Sequence, residues 1–255
     1  MQIMGILNIT PDSFFDGSLY ASPERALERA LKMQAEGADI IDLGAQSTRP
    51  GSAVIAAEEE LARLLPVLDK LAGRIEVPIS VDTFYPEVAK AVLMRGASLI
   101  NDVSGKVTPE MASVIMGFGA NWILMHNPGG ADIAEHYAPD VVSCVKDKLT
   151  NMVRQALVLG VAKDKLCIDP GIGFGKSRAD NLKLLANTNM LKIEGVELLI
   201  GASRKRLIGE QYTPEERLAG TIAAHVIAQL GGANMIRVHD VKEAVQAARF
   251  VKECY

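Results

Sequence analysis

Short apolar runs alternate with longer amphipathic stretches along the whole chain. Eight of these runs have the length and composition of strands that are buried on both faces of a parallel sheet. We predict these strands at residues 3–8, 39–44, 78–82, 98–102, 121–126, 165–169, 196–201 and 234–238. The stretches between them often begin at Ser-Pro-Glu, Thr-Pro-Glu or a run of Glu and often end at Gly, as helices do. The pattern therefore predicts eight strand–helix units.

Eight such units fold either as an open doubly wound sheet or as a closed barrel. Every predicted strand is followed by a polar or glycine-rich segment, whereas a doubly wound sheet would concentrate its ligand contacts at one switch point. The first strand is not followed by the G-x-G-x-x-G turn of dinucleotide-binding sheets. The chain length of 255 residues is close to the roughly 250 of a typical barrel. We find no linker and no low-complexity stretch. The sequence therefore predicts an α/β protein with a single (β/α)8 TIM barrel domain over residues 1–255.

Composition and charge narrow the class of protein. Hydrophobic residues make up 49% of the chain, which is enough to fill the core of one barrel. The formal charge of −4 argues against a nucleic-acid binder, and no apolar run reaches the roughly 18 residues of a membrane span. The sequence has no basic leader, and Cys144, Cys167 and Cys254 lack the spacing of metal ligands. We expect a cytoplasmic protein that binds neither nucleic acid nor membrane.

The carboxyl ends of the predicted strands carry two kinds of side chain, and these ends are where barrel enzymes meet their substrates. Asp82, Asn101 and Asp169 end apolar strands and would lie low in the barrel mouth. Carboxylates there accept paired N–H donors and an amide both donates and accepts, which suits a flat heterocycle with an amino-pyrimidinone edge. A sugar would more often call for aromatic platforms, and aromatic residues are only 5% of the chain.

The second kind of side chain is basic. Four cations stand at strand ends, namely Arg49, Lys205, Arg237 and His239. Arginine and histidine side chains that converge from different loops hold a phosphate or a diphosphate by charge-assisted hydrogen bonds. The two groups together indicate a ligand with a heterocyclic half and a phosphorylated half.

Seven motifs in order, NITPDSF, STRPG, SVDT, INDVSG, DPGIGFGK, GASRK and RVHDV, resemble the motif series of the dihydropteroate synthase family. The resemblance runs from residue 4 to about residue 250, and seven motifs on matching strand ends make coincidence improbable. Members of this family transfer the dihydropterin-6-ylmethyl group from its diphosphate ester to 4-aminobenzoate. They release diphosphate and form 7,8-dihydropteroate in folate biosynthesis. The resemblance implies a transferase of this kind that acts on these two small molecules as a homodimer.

The resemblance also implies roles for individual residues. Asp82, Asn101 and Asp169 would bind the pterin edge, and Phe14 and Pro50 would wall the aminobenzoate pocket. The whole implied substrate-binding set is Asp82, Asn101, Met125, Asp169, Phe174, Lys205, Arg237, Thr48, Arg49, Phe14, Pro50 and His239. The implied catalytic set is Asp12, Lys205, Arg237 and His239.

The implied cofactor is Mg²⁺. Asn8 would sit beside this ion and the diphosphate, because Mg²⁺ usually bridges phosphate oxygens and keeps several waters. Asp12 would stabilise the cationic methylene group that forms as diphosphate leaves.

Other polar residues near the motifs have plainer interpretations. Asp42 is interpreted as a structural residue that holds the STRPG loop, whereas Asp102 is open to either a structural or a binding role. We expect Arg204 and Lys176 to be solvated or to fringe the phosphate site, and His225 to lie on the surface or in the core. The glycines of GIGFGK are expected to allow a tight turn rather than to cradle a phosphate.

Three loops depart from the family pattern. After the fifth strand, many members follow Met-His with Met-Gln-Gly, whereas this chain continues with Asn127 and Pro128. The first loop has Phe15 at a position that is usually small, and the second has Ala45 and Gln46 where Gly and Glu are usual. The predicted pterin ligands all remain. We therefore expect these three departures to affect loop closure and aminobenzoate binding rather than pterin binding.

Three alternatives stay open at this point. A methyltetrahydrofolate:corrinoid methyltransferase resembles the same barrel but needs no diphosphate site, so STRPG, SRK and RVHDV argue against it. A non-catalytic pterin-binding paralogue would fit the altered loops, and Mg-dependent diphosphate release would distinguish it from an enzyme. A barrel enzyme acting on a sugar phosphate would not explain the buried set of carboxylates and an amide.

Overall fold

The predicted strands close into a parallel barrel in a computed structural model that describes residues 1–9, 22–46, 54–128, 137 and 140–255. The strand order follows the chain from β1 to β8, and β8 pairs back onto β1. The strands are β1 Gln2–Asn8, β2 Ile40–Gly44, β3 Ile79–Asp82, β4 Leu99–Asp102, β5 Asn121–Met125, β6 Leu166–Asp169, β7 Glu197–Ile200 and β8 Met235–Val238. The predicted (β/α)8 TIM barrel is confirmed, and each strand differs from its predicted range by at most two residues.

Helices surround the barrel and connect its strands. They are α1 Pro23–Glu36, α2 Ala57–Leu71, α3 Pro86–Leu93, α4 Pro109–Phe118, α5 Val141–Val158, α6 Arg178–Ala186, α7 Thr188–Leu191, α8 Leu218–Leu230 and α9 Val241–Cys254. Short 3₁₀ turns lie at Lys163–Lys165, Arg206–Ile208 and Glu215–Arg217.

The helix ends follow the start and stop residues of the sequence. Ser22 caps α1 by accepting a hydrogen bond from the backbone N–H of Arg25, and Pro23 occupies the first turn. The helix ends at Gly37, whose φ of 98° is the left-handed conformation that glycine adopts at low cost. Thr108 and Gly119 bound α4 in the same way.

Two apolar clusters fill the protein. The larger one joins the outer faces of the strands to the helices. The smaller one consists only of strand residues and therefore fills the inside of the barrel. This inner cluster is formed by Met4, Ile40, Leu99, Ile123, Cys167, Leu199 and Met235.

The inner cluster also positions the next layer of side chains. Strand residues alternate between two faces, so the residue two places after each cluster member also points inward, nearer the carboxyl end. These positions are Ile6, Asp42, Asn101, Met125, Asp169, Gly201 and Arg237. A mostly polar layer therefore lies above an apolar floor, at the end of the barrel where the predicted site lies.

Candidate active site

A pocket opens at the carboxyl ends of the strands, above the inner cluster. Its walls are formed by Ile6, Asp82, Asn101, Val103, Met125, Asp169, Phe174, Gly201, Ser203, Lys205, Arg237 and His239. The structure thus brings together eight of the residues predicted to bind substrate, from β3, β4, β5, β6 and β8 and from the loops after β6, β7 and β8. The remaining predicted contacts, Asp12, Phe14, Thr48, Arg49 and Pro50, lie outside the described residues.

Asn8, the predicted metal neighbour, ends β1 at the same rim. It pairs in register with Gly44 of β2, which in turn pairs with Asp82 of β3. A Cβ atom placed on Gly44 would come 3.2 Å from the Asn8 Oδ1 atom, so glycine leaves room for this amide. Asn8 therefore lies two strands from Asp82, beside the pocket.

Arg237 is fixed between two carboxylates inside the barrel. Its Nε donates to Asp42 Oδ2 at 2.6 Å, and its terminal nitrogen donates to Asp82 Oδ2 at 3.3 Å. Asp42 is fully buried and also accepts hydrogen bonds from Ser80 Oγ at 2.5 Å and from Asn101 Nδ2 at 3.3 Å. The interpretation of Asp42 as a structural residue agrees with these contacts, which hold Arg237 and Asn101, while the STRPG loop lies outside the described residues.

Burial governs the ionisation of the pocket carboxylates. It raises the pKa of Asp82 to about 7, although the neighbouring Arg237 guanidinium opposes the shift. The pKa of Asp169 is also raised by burial, against the attraction of Lys205. A buried carboxylate of this kind is stabilised by a ligand that offers N–H donors.

Lys205 lies beside Asp169 at the base of the loop that follows β7. Burial lowers the pKa of its ammonium group to about 8, while Asp169 acts in the opposite direction. The ammonium donates to the carbonyl of Ile172 and lies 5.0 Å from the centre of the Phe174 ring. Asp169 in turn accepts the N–H of Gly171 at 2.7 Å. The ammonium of Lys205, the carboxylate of Asp169 and the ring of Phe174 therefore line the same pocket.

Comparison with known proteins assigns the family. The family model described as pterin binding enzyme matches residues 4–239. The dihydropteroate synthase of Escherichia coli K12 is 44% identical, with 98% of this chain and 90% of the relative covered. That of Bacillus subtilis is 40% identical, with 98% and 87% covered.

The chain belongs to the dihydropteroate synthase family.

Solved structures of dihydropteroate synthases have the same fold. The Clostridium difficile enzyme, solved with pteroic acid, superposes with a TM-score of 0.94 at 42% identity and covers 100% of this chain and 97% of its own. The Xanthomonas albilineans enzyme with 4-aminobenzoic acid gives 0.93 at 43% identity, with 99% and 92% covered. The family resemblance predicted from the seven motifs is confirmed.

Ser203 is a pocket residue that the sequence interpretation left without a role. Its Oγ lies 2.9 Å from His239 Nδ1 and accepts the backbone N–H of His239 at 3.1 Å. One contact reaches the ring of His239, a predicted catalytic group, and the other holds its backbone. The position of Ser203 within the GASRK motif was the available signal.

Arg204 and Lys176, which we expected to be solvated or to fringe the phosphate site, are both bound by protein groups. Arg204 forms a two-point ion pair with Asp240, at 3.0 Å and 2.5 Å. The ammonium of Lys176 donates to three backbone carbonyls, those of His126, Gly171 and Phe174, at 3.3, 2.9 and 2.9 Å. Both cations therefore organise the loops that carry the pocket residues.

Two residues with open interpretations have structural roles. Asp102 is buried and accepts hydrogen bonds from the N–H of Ser104 at 2.9 Å and from the indole of Trp122 at 3.3 Å. His225 is buried in α8, as the core interpretation predicts.

Glu60 is a buried acid near the site that the sequence interpretation missed. Its Oε2 accepts a hydrogen bond from Thr83 Oγ1 at 3.2 Å, and Thr83 directly follows Asp82. Burial raises the pKa of Glu60 to about 7. The signal was present, because Glu60 shares a helix face with the buried residues Ala57 and Leu64 of α2.

Metal-binding and membrane-spanning features can be judged for the part of the chain that the structure describes. That part contains no group of three or more His, Cys, Asp or Glu side chains that could hold a metal ion. None of its helices is long and apolar enough to cross a membrane.

Proposed function

We propose that the chain transfers the dihydropterin-6-ylmethyl group from its diphosphate ester to the amine of 4-aminobenzoate. The observation that carries the proposal is the convergence of Asp82, Asn101 and Asp169 with Lys205 and Arg237 in one pocket. The acids and the amide suit the hydrogen-bonding edge of the pterin, and the cations suit its diphosphate. The membership of the dihydropteroate synthase family supports the same assignment.

The pterin ring would lie on the polar inner layer of the barrel. Asp82 and Asp169 accept its N–H donors, and Asn101 completes the pattern by offering both a donor and an acceptor. Met125 and Phe174 supply apolar contacts to the ring faces. The ring N–H groups would replace the water that a buried carboxylate lacks, so binding favours the charged form of both acids.

The cations would act on the leaving group. The C–O bond to the diphosphate breaks with its electron pair, and the amine nitrogen forms the new C–N bond and then loses one proton. Lys205, Arg237 and His239 stabilise the negative charge that develops on the diphosphate. The arylamine is neutral at pH 7, so orientation rather than a strong base activates it.

The segments outside the described residues complete the proposed site. Asp12 would stabilise the cationic methylene carbon, while Thr48 and Arg49 would contact substrate from the second loop. Phe14 and Pro50 would wall the aminobenzoate. These roles follow from the family motifs on which the residues stand.

Mg²⁺ is proposed as the cofactor. The fit lies in the donor set, because a lone amide oxygen on Asn8 beside an anion site matches an ion that takes most of its ligands from phosphate and water. When bound, the ion would neutralise charge on the diphosphate. Removal of divalent metal by EDTA should abolish turnover, and added Mg²⁺ should restore it.

A cytoplasmic homodimer is proposed as the working form. Ile227 and Leu230 of α8 are 45% and 53% exposed, and Phe250 of the adjacent α9 is 67% exposed. These apolar side chains would lie in the dimer interface, away from the pocket. Sedimentation of the wild type and of Ile227→Asp would test this, since the variant should run as a monomer.

The decisive experiment follows diphosphate release from dihydropterin-CH₂-diphosphate with Mg²⁺, with and without 4-aminobenzoate. Turnover should require 4-aminobenzoate and should collapse in Asp169→Asn, which removes the carboxylate that accepts the pterin N–H donors. Asp164→Asn, an exposed site in the turn before the same strand, is the matched control and should keep wild-type turnover. Tight pterin binding without diphosphate release would show a non-catalytic paralogue instead.

A further inference from the structure

Asp42 is a fully buried carboxylate in the polar inner layer of the barrel, and it is not among the described residues that form the pocket walls. It accepts hydrogen bonds from three other strands, through Ser80 of β3, Asn101 of β4 and Arg237 of β8. Two of these donors, Asn101 and Arg237, do line the pocket. Asp42 can therefore act on a bound ligand through both of them.

The two carboxylates that hold Arg237 do so unequally. The bond from its Nε to Asp42 is 2.6 Å long, as short as charge-assisted hydrogen bonds become, whereas the bond from a terminal nitrogen to Asp82 is 3.3 Å. Although burial opposes the charge of Arg237, the two carboxylates together raise its pKa above the ordinary value. Asp42 is thus the firm partner of the guanidinium, and Asp82, which lines the pocket, has the weaker hold.

The charge of Asp42 is compensated without a ligand. A buried carboxylate is tolerated when it is paired with a cation and its remaining lone pairs accept hydrogen bonds. Asp42 meets both conditions, because Arg237 supplies the cation while Ser80 Oγ and Asn101 Nδ2 donate at 2.5 and 3.3 Å. Among the described side chains, only Arg237 donates to Asp82. A ligand N–H group is therefore more readily accepted by Asp82 than by Asp42.

Asp42 also sets the direction of the Asn101 amide. An ionised carboxylate can only accept hydrogen bonds, so the amide nitrogen rather than the oxygen has to face Asp42. The Nδ2 atom of Asn101 indeed donates to Asp42 Oδ2. The oxygen of Asn101 is thereby turned away from Asp42, and it can serve as an acceptor for a ligand in the pocket that Asn101 lines.

We propose that Asp42 is a positioning residue that keeps Arg237 and the Asn101 amide fixed, so that Asp82 can exchange Arg237 for an N–H group of the pterin. The inference rests on the proposed function, because it takes a pterin as the ligand. It goes beyond a structural role by making pterin affinity depend on the charge of Asp42. Without that charge, Arg237 would turn towards Asp82 and compete with the pterin for the remaining carboxylate.

Asp42→Asn removes the charge and keeps the shape of the side chain. The dissociation constant of a pterin without its diphosphate should rise roughly ten- to hundredfold, because a hydrogen bond between charged groups is lost. Asp39→Asn is the matched control, since Asp39 stands just before the same strand and accepts the N–H of Ile3 at 2.7 Å, at the opposite end of the barrel. The control should keep the wild-type constant. An unchanged constant in Asp42→Asn, or an equal rise in the control, would overturn the proposal.

The pH dependence of pterin binding separates the charge of Asp42 from its packing. Burial raises the pKa of Asp82 to about 7, and Arg237 opposes the shift. The negative charges that add to the shift are those of Asp42, Glu60 and Asp102. A pterin N–H group bonds to the ionised form of Asp82, so wild-type affinity should fall as the pH drops below about 7.

The inflection of this profile should move in Asp42→Asn. The variant loses a negative charge beside Asp82 and lets Arg237 approach, and both changes lower the pKa of Asp82. The inflection should therefore lie about one pH unit or more below that of the wild type. The other acids of the pocket and the pterin itself titrate in both proteins, so the difference between the profiles reports Asp82. Weaker binding with an unshifted inflection would reveal a structural role only and would overturn the proposal.

The Nε–H signal of Arg237 in NMR spectra tests the firm bond in the wild-type protein, without any variant. Its hydrogen should exchange slowly in the free protein and equally slowly with a pterin bound, because Asp42 remains its partner. Rapid exchange on pterin binding would show that Asp42 releases Arg237. That result would overturn the proposal even if Asp42→Asn failed to fold.

Diphosphate release distinguishes failure of this inference from failure of the proposed function. Pterin binding with the expected pH shift but without diphosphate release would overturn the transferase and keep the role of Asp42. Release that requires 4-aminobenzoate, together with an unshifted inflection, would overturn the role of Asp42 alone. A wild-type protein that binds no pterin would overturn both.

Discussion

Single buried side chains near the pocket set much of the local electrostatics. Glu60 lies on the core face of α2, and its carboxyl group has only Thr83 as a described side-chain hydrogen-bond partner. Glu60 lies close enough to Asp82 for its negative charge to raise the pKa of the Asp82 carboxyl group. Glu60 therefore influences a proposed pterin ligand without touching the pocket.

The first prediction concerns Glu60→Gln and pH. The folded pKa of Glu60 is raised from 4.5 to about 7, so its contribution to stability is present below pH 4.5 and is lost as pH rises through 7. Between pH 5 and 8 the wild type should lose about 2 kcal/mol of unfolding free energy that the variant keeps. Urea unfolding at the two pH values measures this difference. Parallel pH profiles for the two proteins would contradict the prediction.

Loops between elements depend on close approaches that only glycine permits. Gly171 has a φ of 66°, and a Cβ atom there would lie 2.0 Å from the carbonyl oxygen of His126. The same carbonyl accepts a hydrogen bond from Lys176. The β6 loop is thus pressed against the end of β5, and this contact places Phe174 at the pocket.

The second prediction uses two glycines with the same backbone conformation. Gly73 has a φ of 68°, but a Cβ atom added there would meet nothing within 4 Å, so Gly73→Ala should cost only about 1 kcal/mol of backbone strain. Gly171→Ala adds a clash with backbone and should cost about 3 kcal/mol or more, with loss of pterin affinity. Thermal unfolding and pterin titration of both variants measure the contrast. Equal effects would show that the clash is relieved by a local shift.

The comparison between sequence and structure is clearest for whole elements. Apolar runs predicted the strands to within two residues, and the described residues at their ends lie at one rim, as predicted. The sequence could not identify Arg237 as the partner of Asp42, because the two residues are 195 positions apart and only barrel closure brings their side chains together. The contacts of Lys176 could not be predicted, because its partners are backbone carbonyls, whose directions depend on loop dihedral angles that residue types do not specify.

At the scale of the whole molecule, closure of the barrel isolates its interior. Cys167 belongs to the inner cluster and is buried inside the barrel. The barrel closes where β1, at the start of the chain, pairs with β8, near its end. Burial also raises the pKa of its thiol, which lowers the fraction of reactive thiolate. We therefore expect exposure of this side chain to require opening of the barrel itself.

The third prediction follows from this isolation. In a Cys144→Ser, Cys254→Ser background, Cys167 should react with a thiol reagent only at the rate of global unfolding. The denaturant dependence of labelling should match that of unfolding followed by circular dichroism. The exposed Cys254, kept alone in a second background, should react at once and serves as the control. A Cys167 rate that does not change with denaturant would reveal a local opening of the barrel.

The buried acids of the pocket have a consequence for selection. Asp82 and Asp169 are held where burial opposes their charge, so the free protein carries them at a cost in folding stability. A laboratory search for heat-resistant variants would tend to select neutral or apolar side chains at these two positions. Such variants would outlast the parent in a thermal screen and bind no pterin. Substitutions meant to raise thermal stability should therefore leave the polar inner layer of the barrel unchanged. They should be made in the helices and at the opposite end of the barrel.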